Sequence, residues 1–279
     1  MIKQFKKILL VFLLVMLVTA SWQYYQAVPI NHLQYKPFNG IPVLMYHKVN
    51  PDRHAGGLGL RVKPKDFDWE MHYLRENGFH TVSLGDVLDH YQKGKKLPNK
   101  PIVITFDDGY QDNYIYAYPI LKKYNFTATV FVVAGTIGKS NIFDSKTKSQ
   151  PVNKMLTWQE IKALDAAGFT IGSHTVDHPI LTDIPMDQVK LELIDSKKIL
   201  EQGLGKKIDY FCYPHGRYNN EIAKLVQESG YRAATTTRQG LVTAEANPYL
   251  LNRIRVTGHY SHRKFVSQLS LSGIDNQQY

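Results

Sequence analysis

The stretch that most limits what this chain can become is PIVITFDDG, residues 101–109. Ile102, Val103 and Ile104 are consecutive β-branched apolar residues, and such an unbroken run suits a strand buried on both faces, as in a parallel sheet. The run stops at two carboxylates and a glycine. Neighbouring strand residues point to opposite faces, so Asp107 and Asp108 would diverge if the strand continued through them. At a strand end the chain can turn and bring both to one place, with Gly109 permitting the turn. Two carboxylates held together repel, which calls for a metal, an arginine or a shared proton beside them. An isolated Asp-Gly pair would be a plain turn; the rest of the chain argues for more.

The length, 279 residues, allows one large α/β domain or two small ones. Residues 1–25 form a targeting segment: Lys3, Lys6 and Lys7 precede an apolar run over residues 8–18, followed by Thr19, Ala20 and Ser21. This fits a signal peptide, with an uncleaved membrane anchor as the rival, because Trp22, Tyr24 and Tyr25 suit a membrane interface. Either way the remainder is expected to be secreted or held at the cell surface. Residues 26–40, with Pro29 and Pro37, read as a linker.

From residue 41 the pattern alternates. Strands are expected over residues 41–47, 79–84, 101–106, 127–134, 169–172, 208–213, 233–236 and 254–257. Helices are expected over 65–77, 85–92, 114–124, 157–167, 186–202 and 221–229, with Thr157 and Glu160 forming a capping box. Residues 58–64 read as a loop and 135–154 as a polar lid or insertion. Strand–helix alternation at short spacing implies a parallel sheet with right-handed crossovers. About seven such units imply closure. The expected fold is α/β, a distorted (β/α)7-8 barrel, forming a single catalytic domain over residues 41–279.

The formal charge is +10, from 34 Lys+Arg against 24 Asp+Glu. That favours an anionic cell envelope or membrane surface as surroundings. The chain has no compact arginine-rich run and no nucleic-acid module, so nucleic acid is not expected as a partner. Cys212 is the single cysteine, which excludes an intrachain disulfide and a cysteine-cluster zinc site. The abundant aromatics, 18 Tyr, 12 Phe and 3 Trp, suit a folded domain and a sugar-binding surface. The protein is expected to be a monomer.

The polar residues able to do chemistry follow strands: His47, Asp107 with Asp108, and His174 with His178. In parallel α/β folds the loops converge at that edge, so these residues can share one site. His174 and His178 are spaced so that two imidazoles can reach one ion, and one carboxylate completes an Asp-His-His set with room for water and substrate.

TFDDG over residues 105–109, SHTVDH over 173–178 and YPHG over 213–216 resemble, in order, the motifs of the polysaccharide deacetylases, the family 4 carbohydrate esterases with a NodB-like domain. VLMYHKV over 43–49 and LNRIRV over 251–256 resemble a branch that includes secreted poly-β-1,6-N-acetylglucosamine deacetylases of biofilm-forming bacteria. The resemblance spans residues 41–260. It implies a metal-dependent N-deacetylase in which Asp108, His174 and His178 hold a divalent metal, zinc before cobalt, nickel or manganese, and Asp107 is the general base. Tyr213, Pro214, His215 and Gly216 are implied to meet the substrate, an N-acetylglucosamine-containing polysaccharide, with a backbone N–H there facing the oxyanion.

Two positions depart from the family pattern. Cys212 stands where the third motif commonly has an arginine, so Arg253 or Arg255 is expected to orient Asp107 by a bidentate ion pair. The C-terminal Leu-X-His is replaced by Leu251-Asn-Arg253, which removes the family's acid; His47 is the expected substitute, with His259 and His262 behind it. Other readings stand beside this one: a peptidoglycan or chitin-oligomer deacetylase, a deacylase of small amides, and a non-catalytic carbohydrate-binding protein on the same scaffold. The intact Asp107, Asp108, His174 and His178 weigh against the last.

Overall fold

The computed structural model describes residues 40–144 and 150–271. The expected signal or anchor segment, and all of the expected linker except Gly40, lie outside the described residues. Among the described residues no helix is long and apolar enough to cross a membrane.

Seven parallel strands close into a barrel. In chain order they are β1 (Val43–Tyr46), β5 (Pro101–Phe106), β6 (Thr129–Val132), β7 (Thr170–Ser173), β8 (Tyr210–Cys212), β9 (Ala233–Gln239) and β10 (Leu251–Arg255). The ring runs β1-β10-β9-β8-β7-β6-β5 and closes where β5 pairs with β1, Val43 opposite Val103 and Tyr46 opposite Phe106. A short β4 (His80–Thr81) lies outside the ring on β5, so the expected seven-to-eight count resolves as seven in the ring and one beside it. β2 (Lys48–Val49) and β3 (Arg61–Val62) form a separate parallel pair. The helices are α1 (Pro64–Glu76), α2 (Leu84–Lys93), α3 (Tyr118–Lys123), α4 (Trp158–Ala166), α5 (Met186–Leu204), α6 (Asn220–Glu228) and α7 (His262–Leu271).

Strand alternation divides the core in two. Leu44, Tyr46, Ile102, Ile104, Phe106, Val130 and Val132 face outward and pack under helices, among them Phe67, Met71 and Leu74 of α1. Val43, Val103, Phe131, Tyr210, Cys212, Ala233 and Leu251 form a second cluster with Leu84, Val87 and Leu88 of α2. The aromatic triad Tyr46, Phe67 and Phe106, with ring centroids 5.1–5.8 Å apart, fastens β1 and β5 to α1 just before His47 and Asp107. Each such pair contributes about 0.5–1.5 kcal/mol beyond its buried area. The Tyr46 hydroxyl donates to Glu70 Oε2 at 2.9 Å beneath it.

Several boundaries differ from expectation. Residues 79–84 yield only β4, because Ser83 caps α2 in a reciprocal box with Asp86 and Leu84 is already helical. Residues 114–124 split into a π-turn (Asn113–Ala117) and α3, whose start is set by a proline in its first turn. The loop expected over 58–64 contains β3. The last strand is Leu251–Arg255 rather than residues 254–257. Leu251 and Arg253 are both buried, and this arginine occupies an inward position that a count of apolar residues passes over. Helix α7, unexpected from the sequence, buries Phe265, Val266 and Leu269.

Candidate active site

All the strands of the ring end on the same rim, and the chemistry gathers there. Asp107 follows β5 directly and its N–H donates to Tyr46 O at 2.9 Å, which extends the β1–β5 pairing by one residue. The turn begins at Asp108 itself, in left-handed conformation (φ 73°), and continues at Gly109 (φ 78°). The sequence alone suggested that the glycine made the turn; the structure shows that the aspartate shares it. A left-handed residue with a β-carbon is strained, and such strain collects at functional sites.

Arg253 reaches Asp107 from the opposite side of the β1–β10 seam. Nη1 and Nη2 donate to Asp107 Oδ1 and Oδ2 at 2.6 and 2.7 Å. The remaining donors are also used: Nε on Thr236 O (2.9 Å), Nη1 on Thr105 Oγ1 (3.0 Å) and Nη2 on Cys212 Sγ (3.2 Å). All five N–H groups of a fully buried guanidinium are thus engaged. Cys212, which stands where the resembled family commonly has an arginine, accepts one of them. Burial alone would raise the Asp107 carboxyl, but the Arg253 guanidinium outweighs it and holds the group below its ordinary value. Arg255 is exposed and donates to Gly59 O instead, so of the two arginines considered only Arg253 pairs with Asp107.

Asp108 faces the two histidines. His174 Nε2 and His178 Nε2 lie 3.3 and 3.4 Å from the same Asp108 oxygen, Oδ1. Both histidines come from the tight segment after β7, in which Thr175 and His178 are left-handed (φ 68° and 58°). His174 Nδ1 lies 2.7 Å from Cys212 O, which places its proton on Nδ1 and leaves Nε2 free to bind an ion. Burial of Asp108 is outweighed by its contacts with His174 and His178, so its carboxyl sits well below the ordinary range. Burial likewise pulls His174 down, but its contacts with Cys212 and Asp108 raise it well above the ordinary value. A metal and a proton therefore compete for the same nitrogen.

The donor set fits a divalent ion. A tetrahedral ion with bonds of about 2.1 Å separates its ligand atoms by about 3.4 Å, which matches the two spacings here. A second group, Asp107 with His174 and Cys212, is also close-set. It is a poorer site, because both Asp107 oxygens and the Cys212 sulfur already accept from Arg253.

His47 lies beyond β1 on the same rim, with Nε2 4.0 Å from Asp107 Oδ2. Burial lowers its pKa and prevails over the pull of Asp108 and Asp107. Its carbonyl accepts from Asn113 Nδ2 at 2.8 Å. His215 is left-handed (φ 55°), exposed, and packs its ring 4.9 Å from that of His178. Gly216 is required beside it, since a β-carbon there would lie 2.0 Å from Thr237 Oγ1. The side chains of Tyr213 and Pro214, by contrast, are buried, and the Tyr213 hydroxyl donates to Tyr249 O at 3.0 Å. They shape the turn and leave His215 as its exposed side chain among these first three. His259 and His262 are exposed beyond β10, and His262 stacks on Trp69 at 3.6 Å.

Sequence reasoning missed Phe143, whose ring centroid lies 4.6 Å from that of His178. It sits in the insertion expected over 135–154, whose described residues, 135–144 and 150–154, pair with each other and with the turn after β5. Ser140 bridges Lys154, Tyr110 bridges Met155, and Leu156 N–H donates to Gly109 O at 2.9 Å. No local pattern marks such a contact.

Residues 94–234 match the sequence model of the family described as polysaccharide deacetylase. The Bacillus subtilis (strain 168) protein YxkH is 35% identical over 225 residues, 81% of this chain and 74% of its own. The poly-β-1,6-N-acetyl-D-glucosamine N-deacetylase of Staphylococcus aureus (strain MRSA252) is 25% identical over 249 residues, 82% of each chain. Among solved structures, the Streptococcus pyogenes deacetylase PplD in complex with acetate superposes with a TM-score of 0.71 and 30% identity, covering 82% of this chain and 98% of that one.

Proposed function

The chain belongs to the polysaccharide deacetylase family and is a polysaccharide N-deacetylase, and from that premise we propose that it deacetylates N-acetylglucosamine units of an extracellular poly-β-1,6-linked polymer. The observation that carries the chemistry is the Arg253–Asp107 fork beside the Asp108, His174 and His178 cluster on one rim. A carboxylate gripped by both oxygens is ionised and fixed in direction, as a general base must be. A divalent metal held by Asp108, His174 and His178, zinc in the first instance, would supply Lewis acidity to the acetamide carbonyl and to the attacking water.

The chain's own residues then move one proton. Asp107 accepts it from water as the water oxygen attacks the carbonyl carbon. His47, 4.0 Å away and neutral at rest because burial lowers it, takes that proton on and delivers it to the departing amine. The C–N bond breaks, the water oxygen stays on the acyl carbon, and acetate and a free glucosamine unit leave. The oxyanion formed on the way needs a donor. Tyr213 and Gly216 spend their N–H groups on Thr235 O and Tyr213 O, and Pro214 has none. His215 N–H is the donor this turn offers.

The choice of glycan rests on the similarity to the Staphylococcus aureus poly-β-1,6-N-acetyl-D-glucosamine N-deacetylase. Export rests on the lysines and apolar run of residues 1–25. The test is parallel incubation of the purified protein with poly-β-1,6-N-acetylglucosamine and with peptidoglycan, with and without chelator, scoring acetate and free amine. Release from the first polymer, abolished by chelator, is expected. A clear preference for peptidoglycan would reject the glycan and leave the family activity standing.

A further inference from the structure

The segment that carries both histidines does not hold itself. With Thr175 and His178 left-handed, its backbone sits where side chains with a β-carbon are disfavoured. Thr175 Oγ1 ties the ends together, accepting from His178 N–H at 2.9 Å and donating to His174 O. On one flank Ala134 and Gly135 donate to Thr175 O and Val176 O, each at 2.9 Å. That leaves the N–H groups of Val176 and Asp177 at the crown. Both donate to a single carboxylate oxygen, Glu192 Oε2, at 2.7 and 3.1 Å.

Glu192 is well placed to act as a fixed clamp. Its helix, α5, buries the neighbouring Val189 and Leu193. One turn on, Ser196 accepts at 2.8 Å from the hydroxyl of Ser173, the residue immediately before His174. The helix is therefore registered against β7 at the very point where the histidine segment begins.

We infer that Glu192 is a positioning residue for the metal-holding pair. Its carboxylate keeps the segment in the conformation in which His174 Nε2 and His178 Nε2 converge on Asp108. The inference rests on the assignment of Asp108, His174 and His178 as metal holders.

The test uses the full chain and three variants, Glu192→Ala, Glu192→Asp and Glu192→Gln. Zinc affinity is read by competition with a chromophoric chelator, and ligand geometry by the visible spectrum of the cobalt-loaded protein. Mutating the outer partners that support a metal site's ligands typically costs about 10–100-fold in metal affinity, and Glu192 supports both histidines through the backbone between them. That loss, with an altered cobalt spectrum, is expected for Glu192→Ala and for Glu192→Asp, which is one methylene too short to reach both N–H groups. Glu192→Gln keeps the length and an acceptor oxygen and should stay within a few-fold of the parent. If Glu192→Ala does not fold, the Asp and Gln variants carry the comparison. Parental affinity and an unchanged spectrum in the Ala and Asp variants would overturn the inference. His178→Ala, measured alongside, separates the two possible failures. Unchanged affinity there rejects the metal site itself, whereas a loss confined to His178→Ala rejects only the role of Glu192.

Discussion

The Arg253–Asp107 pair supports a double-mutant cycle that measures how far the site depends on it. Arg253 is fully buried and spends all five donors, two of them on Asp107. Arg253→Met fills much of the same volume but leaves Asp107 as an unpaired buried charge, and Asp107→Asn leaves a buried guanidinium without its counter-charge. Breaking a buried pair from either side costs about 3–5 kcal/mol. Removing both partners leaves neither orphan, so the double variant should lose about as much as one single and not their sum. The coupling energy should therefore reach about 3 kcal/mol, at the top of the range for residues in contact. Urea unfolding at neutral pH with chelator present is the assay, because chelation removes the stabilisation that a bound metal would add. Both singles should also lose nearly all acetate release, Asp107→Asn as the missing base and Arg253→Met because the base is no longer held. Additive losses of stability, or a cost below about 1 kcal/mol for Arg253→Met, would refute the reasoning from an uncompensated buried charge.

Three other outcomes are expected. His178→Ala should bind zinc at least about 100-fold more weakly, since two ligands hold an ion poorly, and direct metal analysis after dialysis reads this. His47→Ala should keep its metal and its fold but lose about 10²–10⁴ in kcat on an N-acetyl substrate. An activated acetyl ester, whose leaving group needs little protonation, should be spared most of that loss; equal loss on both substrates would remove His47 as the acid. Glu70, whose carboxyl burial pushes from 4.5 up to about 8, gives a pH test away from the chemistry. The folded state binds that proton more tightly than the unfolded chain does, so the contribution is fully present below the unfolded value and fades as pH rises through the folded one. The parent should lose up to about 5 kcal/mol across that window relative to Glu70→Gln, whose carbonyl can still accept from Tyr46. Parallel stability curves from pH 5 to pH 8.5 would count against a buried neutral Glu70.

Some of this protein is written locally, and those parts were legible. A β-branched run fixes β5, Thr157 with Glu160 caps α4, and the apolar face of residues 65–77 forms α1, because each depends on neighbours within a turn or two of chain. The motif residues Asp107, Asp108, His174 and His178 could be gathered to one rim from the alternation alone, since parallel strands put all their carboxyl ends on the same edge. Other features had no local signature. That Asp108 turns left-handed, that Arg253 rather than Arg255 grips Asp107, and that Phe143 lies against His178 all depend on segments far apart in sequence. Arg253 is the clearest case. The sequence offers it and Arg255 equally as partners of Asp107, just ahead of or within the expected last strand. Closure of β1 on β5 and β10 turns it into the barrel, where Thr236, Thr105, Cys212 and Asp107 together satisfy every donor. The sequence determined which groups were available and on which edge they emerge; only the closed barrel decided which of them are desolvated together, and desolvation is what turns a charged side chain into a partner.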